Sequence, residues 1–392
     1  MAQARAPKLQ EMLTGLIGAP SVSSVSPQYD MSNRPAAERI AGWLEGIGFR
    51  VELQEIPGHP GKLNVIGSLG SGPGGLVLAG HMDTVPYDET GWDSDPFTLT
   101  ERDGEYYGLG ISDMKGFIGL AIEAASRHRA EDLAQPLIVL ATADEESSMS
   151  GGRALAAAGR PKARYAVIGE PTLLKPVRMH KGILMEAVKL IGHSGHSSDP
   201  SLGRNALEGM HKAIAALLAY RDDMQQRHRD PHFKIPHPTM NLGHIHGGDN
   251  PNRICPECEL HFDIRTLPGM KSEKLRAEIR ERLEHALEGT GLELQCRSLF
   301  AGTDPLETPG TSELVKYTEE LTGHKAEAVA FGTEGPFLQA LGMQTVIMGP
   351  GDINVAHQPN EHLPLAMLEP TLDLLENLIQ RFCVAETSAA HG

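Results

Sequence analysis

Leu137-Ile138-Val139-Leu140-Ala141-Thr142-Ala143-Asp144-Glu145-Glu146 sets an unbroken apolar run against three successive acids. A short run with no polar residue at alternate positions predicts a strand buried on both faces. On one side of it, Met114–Arg127 predicts a helix; on the other, Gly152–Ala158 predicts an Ala-rich helix and Tyr165–Ile168 a short strand. Buried strands alternating with helices mean an α/β domain.

Further upstream, Ile40, Trp43, Leu44 and Ile47 recur at helical spacing from Pro35, and Gly48 is placed to stop that helix. Val51, Leu53 and Ile56 alternate, and Asn64–Leu69 and Leu76–Ala79 predict two more strands. Gly70–Gly75 between them reads as a hairpin loop. The same six residues match GxGxxG, but a dinucleotide fingerprint must open a helix, and a strand follows here.

From about Gly182 the rhythm changes to strand (Ile183–Ile191), helix (Asn205–Tyr220), strands (Met240–His246 and Glu257–Ile264), helix (Ser272–Leu287) and strand (Leu292–Arg297). That βαββαβ order predicts a split, ferredoxin-like α+β unit inserted into the α/β domain. Helix Ser312–Leu321, strands Glu327–Phe331 and Thr345–Met348, and a long helix around Pro370–Phe382 then resume the first pattern. The predicted division is 1–181, 182–297 and 298–392, the outer two forming one domain with a mixed central sheet flanked by helices.

The chain has 392 residues, with 51 acids against 35 bases and a net charge of −16, which disfavours phosphate backbones and anionic membranes as partners. Hydrophobic residues at 40% and charged residues at 22% describe an ordinary globular chain. Four cysteines are too few for a disulfide framework and suit a reducing cytoplasm. Lys8, Gln10 and Glu11 interrupt the first apolar stretch, so no signal peptide and no membrane span is expected. Cys255-x-x-Cys258 stands without a second such pair and reads as two structural cysteines. GxSxG does not occur, which leaves a serine-nucleophile elbow unsupported.

The residues that could carry chemistry fall where predicted strands end, the usual ligand edge of an open α/β sheet. His81 and Asp83 close the second glycine-flanked strand, where Asp83 can take one ring N–H of His81 and turn the other nitrogen toward a metal. Asp113 precedes a helix, Asp144-Glu145-Glu146 follow the apolar strand, Glu170 follows the next, and His357 lies in the loop after Gly349-Pro350-Gly351. Singly the first three read as a hydrogen-bonded pair, an N-cap and a solvated acidic loop. Together, two histidines and several carboxylates at one sheet edge are the ligands that a divalent ion such as zinc takes.

As a set, Gly80-His81-Met82-Asp83-Thr84-Val85-Pro86, the isolated Asp113, Ala143-Asp144-Glu145-Glu146-Ser147, Ile168-Gly169-Glu170-Pro171-Thr172 and the late His357 resemble the dinuclear-zinc deacylases and exopeptidases of the aminoacylase and carboxypeptidase kind. Longer segments extend the resemblance over most of the chain, among them 142–155, 167–182, 192–200, 241–255 and 333–337. It implies two zinc ions, or cobalt in their place, bridged by Asp113, with His81 and Glu170 completing one site and Glu146 and His357 the other. Glu145 would be the general base, and Asp83 the partner of His81. The insert would act as a lid and dimerisation domain of a homodimer. His196 would reach the partner's site, and Asn252, Arg265, Gly332 and Thr333 would hold an N-acyl amino acid. Glu334 is expected, from charge and position, to meet a cationic substrate side chain. Within the family a sister deacylase acting on another N-acyl amino acid is the nearest rival; from another class the rival is a metal-dependent binding protein on the same fold, and Glu145 argues against it, because a pure binder needs no base beside its ions.

Overall fold

The computed structural model describes residues 6–88 and 90–384. The chain divides into two compact units. One takes in the described residues up to Arg178, Thr308–Glu327 and those from Glu334 onward; the other is Met179–Glu307 with Ala328–Thr333. The last strand of the second unit does not stop at Arg297 but runs over Glu293–Thr303, which moves the boundary later than the sequence pattern suggests.

In the first unit the strands lie in the order Arg50–Glu55, Leu63–Leu69, Leu137–Thr142, Leu76–His81, Tyr165–Pro171, Gln344–Gly349. The last four run parallel, so their C-terminal ends share one edge. Leu137–Thr142, Leu76–His81 and Tyr165–Pro171 are buried along their whole length, as unbroken apolar strands require. Helix Lys115–Ala125 is buried almost throughout and packs on this sheet and on helices Leu9–Ile17 and Leu368–Phe382. A side chain at Gly169 would collide with the Phe117 ring, its Cβ falling 1.9 Å away. The bare glycine lets the helix that follows Asp113 lie flat on the strand that carries Glu170.

The glycine-rich segment is not a hairpin. Leu63–Leu69 and Leu76–His81 are separated by Leu137–Thr142, with which each of them pairs. The loop crosses over the start of that middle strand, and a Cβ at Gly75 would lie 2.1 Å from the Pro136 carbonyl oxygen. Close approach therefore explains the glycines, not a tight turn.

The sequence pattern also passes over a small sheet. Thr100–Arg102 and Glu105–Tyr107 form a hairpin through Asp103-Gly104, both with positive φ, the Asp-Gly signal of a two-residue turn. His362–Pro364 pairs with Glu105–Tyr107 as the third strand. This brings the segment after His357 alongside the one that leads to Asp113.

The second unit is a four-stranded antiparallel sheet in the order Thr239–Gly247, Glu257–Thr266, Gly182–Ile191, Glu293–Thr303. Along the second of these, Cys258, Leu260, Phe262 and Ile264 alternate inward. They pack with Met210, Leu217 and Tyr220 of helix Ala206–Arg227 and with Leu275, Ile279 and Leu283 of helix Ser272–Ala286. Asn205 starts the first helix by accepting the Leu207 N–H at 3.0 Å. Cys255 and Cys258 are free thiols in this core. Among the described residues no helix is long and apolar enough to cross a membrane.

Candidate metal centre

Parallel pairing puts His81 opposite Thr142 at the strand edge. The chain beyond Thr142 turns at once, with Asp144 at φ 56°, a left-handed conformation that aspartate tolerates. Asp144 is the first of the three acids, and it is an anchor. Its Oδ1 accepts from Lys62 Nζ at 2.6 Å and from Ser23 Oγ at 2.9 Å, and its Oδ2 from Ser150 Oγ at 3.1 Å. Lys62 is 3% exposed and donates again to Asp30 at 2.7 Å. The positive group that three adjacent acids demand is thus partly this lysine. Lone in the sequence before an apolar strand, it offers no signal of its role.

With Asp144 tied down, Glu145 and Glu146 face Asp113, Glu170, His81 and His357. One ligand atom each from His81, Asp113 and Glu146 lies within 4.8 Å of the others. His81 Nε2 is 3.1 Å from Asp113 Oδ1, while His357 Nε2 is 2.9 Å from Glu146 Oε1 and 3.3 Å from Asp113 Oδ2. Glu170 is buried in hydrogen-bond contact with Asp113.

Asp83 is fully buried and its Oδ2 accepts the Glu146 N–H at 3.0 Å. Its carboxylate was the expected partner of His81, yet Nδ1 of His81 is 3.1 Å from the Asp83 carbonyl oxygen and 3.7 Å from Oδ1. The imidazole N–H is therefore held by main chain, and Asp83 bridges the His81 strand to the Glu146 turn. With Nδ1–H donating, Nε2 of His81 presents a lone pair to a carboxylate, an arrangement that a proton or a metal ion must relieve.

The protonation equilibria record the same conflict. Burial pushes the carboxyls of Glu145 and Glu170 well above their ordinary range, and their acidic neighbours add to the effect; Glu146 is raised for the same reasons. Burial would depress His81, but the Asp113 hydrogen bond and the charges of Asp83 and Glu170 outweigh it and hold it well above its usual value. Hydrogen bonds to Asp113 and Glu146 raise His357 to about 10. Burial acts against the Asp113 anion, yet the two histidines hold its carboxyl below the usual range. Protons here stand in for cations, and imidazole nitrogens with carboxylate oxygens are the donor set of zinc and similar divalent ions.

Two supporting residues besides Lys62 escaped the sequence reading. Glu361 is 2% exposed; its Oε1 accepts the N–H groups of Ser112 (2.8 Å) and Asp113 (2.9 Å), and its Oε2 that of Gly110 (2.9 Å). Burial and the Asp113 charge push Glu361 up to about 8 against the pull of those amides, and positive charge at the centre acts the other way. Lys115, buried, donates to the carbonyls of Leu16 (3.2 Å) and Ala19 (3.0 Å), and burial lowers it to about 8.

Glu334 belongs to the first unit and is 6% exposed, its Oε2 accepting from Thr142 Oγ at 2.5 Å. Its carboxylate faces the strand end rather than solvent, and burial raises it to about 7.

The remaining predicted residues belong to the second unit. His196 is exposed in a loop, its Nδ1 2.7 Å from Ser198 Oγ, and the Ser197 N–H reaches the Asn252 carbonyl at 3.1 Å. Arg265 is half-buried on its strand and paired to Asp263 at 3.2 Å. Gly332 packs on Ile183, where a Cβ would fall 2.8 Å from Cδ1. The Thr333 N–H, expected as a donor to substrate, goes to Nε2 of His180 at 3.3 Å. Burial lowers His180 to about 4, so its ring is neutral, and Nδ1 donates to the Lys181 carbonyl at 2.8 Å.

Residues 77–381 match the model of peptidase family M20/M25/M40. Acetylornithine deacetylase of Proteus mirabilis (strain HI4320) is 46% identical over 97% of this chain and 98% of its own length. Acetylornithine deacetylase of Pasteurella multocida (strain Pm70) is 45% identical over 96% and 98%. Among solved structures, the M20 family metallo-carboxypeptidase Sso-CP2 of Sulfolobus solfataricus superposes with a TM-score of 0.73 at 17% identity, covering 95% of this chain and 99% of that one. The YXEP protein of Bacillus subtilis, described as a dinuclear metal-binding peptidase from the M20 family, gives 0.65 at 15% identity over 95% and 97%. The family match and the likeness along nearly the whole chain agree: this protein belongs to peptidase family M20/M25/M40.

Proposed function

We propose that this protein is a metal-dependent amidohydrolase that removes the acetyl group of N-acetyl-L-ornithine, giving L-ornithine and acetate in arginine biosynthesis. The observation that carries the chemistry is the cluster of His81, Asp113 and Glu146 ligand atoms within 4.8 Å of one another, with buried Glu145 beside it. Support for the substrate is the 46% and 45% identity to two acetylornithine deacetylases. In this reading Asp113, His81, Glu170, Glu146 and His357 would hold two zinc ions, Asp113 shared between them, His81 and Glu170 on one side and Glu146 and His357 on the other; cobalt could replace zinc. When bound, such a pair polarises a scissile carbonyl and brings the pKa of a shared water toward neutrality.

The chain's own residues do the rest. Three ligand carboxylates, Asp113, Glu146 and Glu170, set the charge of the centre. Glu145 takes a proton from the attacking water and delivers it to the leaving nitrogen. Asp83 orients the Glu146 turn. His196, Asn252, Arg265 and Gly332 are candidates for substrate contact, the Arg265 fork being matched to a carboxylate. Glu334 keeps one candidate role at a cationic side chain through its buried carboxylate. We assign the second unit the role of lid and homodimer contact, in a cytoplasmic enzyme. A panel of N-acetyl-ornithine, N-succinyl-diaminopimelate and several N-acyl amino acids tests the substrate: fastest turnover of the first supports the reading, and preference for another substrate replaces it with a sister deacylase.

A further inference from the structure

The bridging carboxylate and the last histidine both sit on irregular chain. Asp113 lies in the turn before helix Lys115–Ala125, and His357, at φ 61°, lies in the loop between strands Gln344–Gly349 and His362–Pro364. Two ions sharing one carboxylate need these two loops placed to within roughly 0.5 Å of each other. Regular secondary structure does not supply that precision at either residue.

Glu361 does. Besides the three N–H groups held by its side chain, its own carbonyl accepts the Gly108 N–H at 3.1 Å. One residue, four positions after His357, thus grips the main chain at Gly108, Gly110, Ser112 and Asp113. Asn360, at φ 62°, braces it from the other side: its Oδ1 accepts the Asp93 N–H at 2.9 Å and its Nδ2 donates to the Gly91 carbonyl at 3.3 Å. Beyond Glu361 the chain joins Glu105–Tyr107 as a strand, so the contact continues a pairing already in register.

We infer that Glu361 is a positioning residue: it clamps the Asp113 turn to the His357 loop and so sets the separation of the ligands that two ions share. This rests on the two-ion reading above. A carboxylate suits the task because both oxygens only accept. Glu361→Gln would turn an amide N–H against either the Gly110 donor or the Ser112 and Asp113 pair, while Glu361→Asp keeps the charge but withdraws it by one methylene.

The test is metal affinity, measured by competition with a chelator on the full-length protein, with the visible spectrum of the cobalt-loaded form as a second readout. Both variants should bind the weaker of the two ions about 10–100-fold less tightly, the usual consequence of removing a residue that orients a ligand. Their cobalt spectra should change, and kcat should fall with KM within about threefold. Wild-type affinity in Glu361→Asp, with loss only in Glu361→Gln, would overturn the clamp and leave a role for charge alone; wild-type affinity in both would overturn it outright. If the wild type itself binds no ion, the two-ion reading fails and the clamp with it. Should neither variant fold, amide exchange in the wild type decides: slow exchange at Gly110, Ser112 and Asp113, tightening together with 357–361 as metal is added, supports the clamp, and fast exchange at those amides overturns it.

Discussion

Asp113 presents Oδ1 to Nε2 of His81 at 3.1 Å, although the other ring nitrogen of that histidine is already engaged by a main-chain carbonyl. Its second oxygen, Oδ2, lies 3.3 Å from Nε2 of His357. One carboxylate thus divides its two oxygens between two imidazoles that reach it from distant parts of the chain. That geometry is what a bridging ligand needs, and each oxygen has its own consequence.

Asp113→Asn leaves one acceptor oxygen and turns an amide N–H toward one of the histidines. The variant should hold at most one ion per chain and the wild type two, and the variant should lose at least about 100-fold in activity. Elemental analysis of the dialysed protein, alongside a rate measurement, checks this; two ions retained would show that Asp113 does not bridge.

Glu145→Gln keeps the shape of the base and removes its capacity to take a proton. The expected loss is about 10²–10⁴-fold in kcat, with metal content unchanged and KM within a few-fold. Activity within tenfold of the wild type would assign the proton transfer elsewhere.

Metal-free protein should lose stability as pH rises. His357 is raised from 6.5 to about 10 and Glu334 from 4.5 to about 7, and Glu145, Glu146 and Glu170 shift the same way. Each group therefore holds its proton more tightly folded than unfolded. Across roughly pH 4.5–10 these groups bind more protons in the native state; they outnumber His180 and Lys115, which shift the other way, so the unfolding free energy falls with pH. The His357 contribution is complete below 6.5 and gone above about 10; the Glu334 penalty grows between 4.5 and 7. Metal displaces these protons, so the stabilisation by zinc should grow over the same window. Melting curves at pH 6 and 8.5, with chelator and with zinc, give the comparison; a chelated protein more stable at pH 8.5 would contradict the crowded site.

Lys62→Met leaves Asp144 buried without its cation. Breaking a buried pair by removing one partner costs about 3–5 kcal/mol, and pairing the change with Asp144→Asn should recover part of it. Denaturant unfolding of the two single variants and the double variant measures the coupling. A loss below about 1 kcal/mol in Lys62→Met would mean that the turn carrying Glu145 and Glu146 is held by its other contacts, those of Asp144 with Ser23, Ser150 and His59 and of Glu146 with Asp83.

Much of this was legible in the sequence because burial on both faces writes a simple pattern. Leu137–Thr142 and Leu76–His81 have no polar interruptions, and the acids and histidine at their ends stand out against them. The helix Leu9–Ile17 was equally legible, with Met12, Leu13, Leu16 and Ile17 buried at helical spacing, and was passed over beside the question of export. The crossover at Gly70–Gly75 was not legible, since a glycine-rich link between two strands looks the same whether they pair with each other or straddle a third. Lys62 and Glu361 were hidden for a different reason. Their roles come from partners 82 and about 250 positions away, and a single charged residue carries no mark of what it will meet.

The central claim is tested most directly by ornithine release from N-acetyl-L-ornithine by the purified protein, before chelation, after it, and with zinc or cobalt restored, while counting bound metal per chain. The account predicts rapid turnover with two ions bound, loss on chelation and recovery with either metal. Turnover that persists after both ions are removed would contradict it.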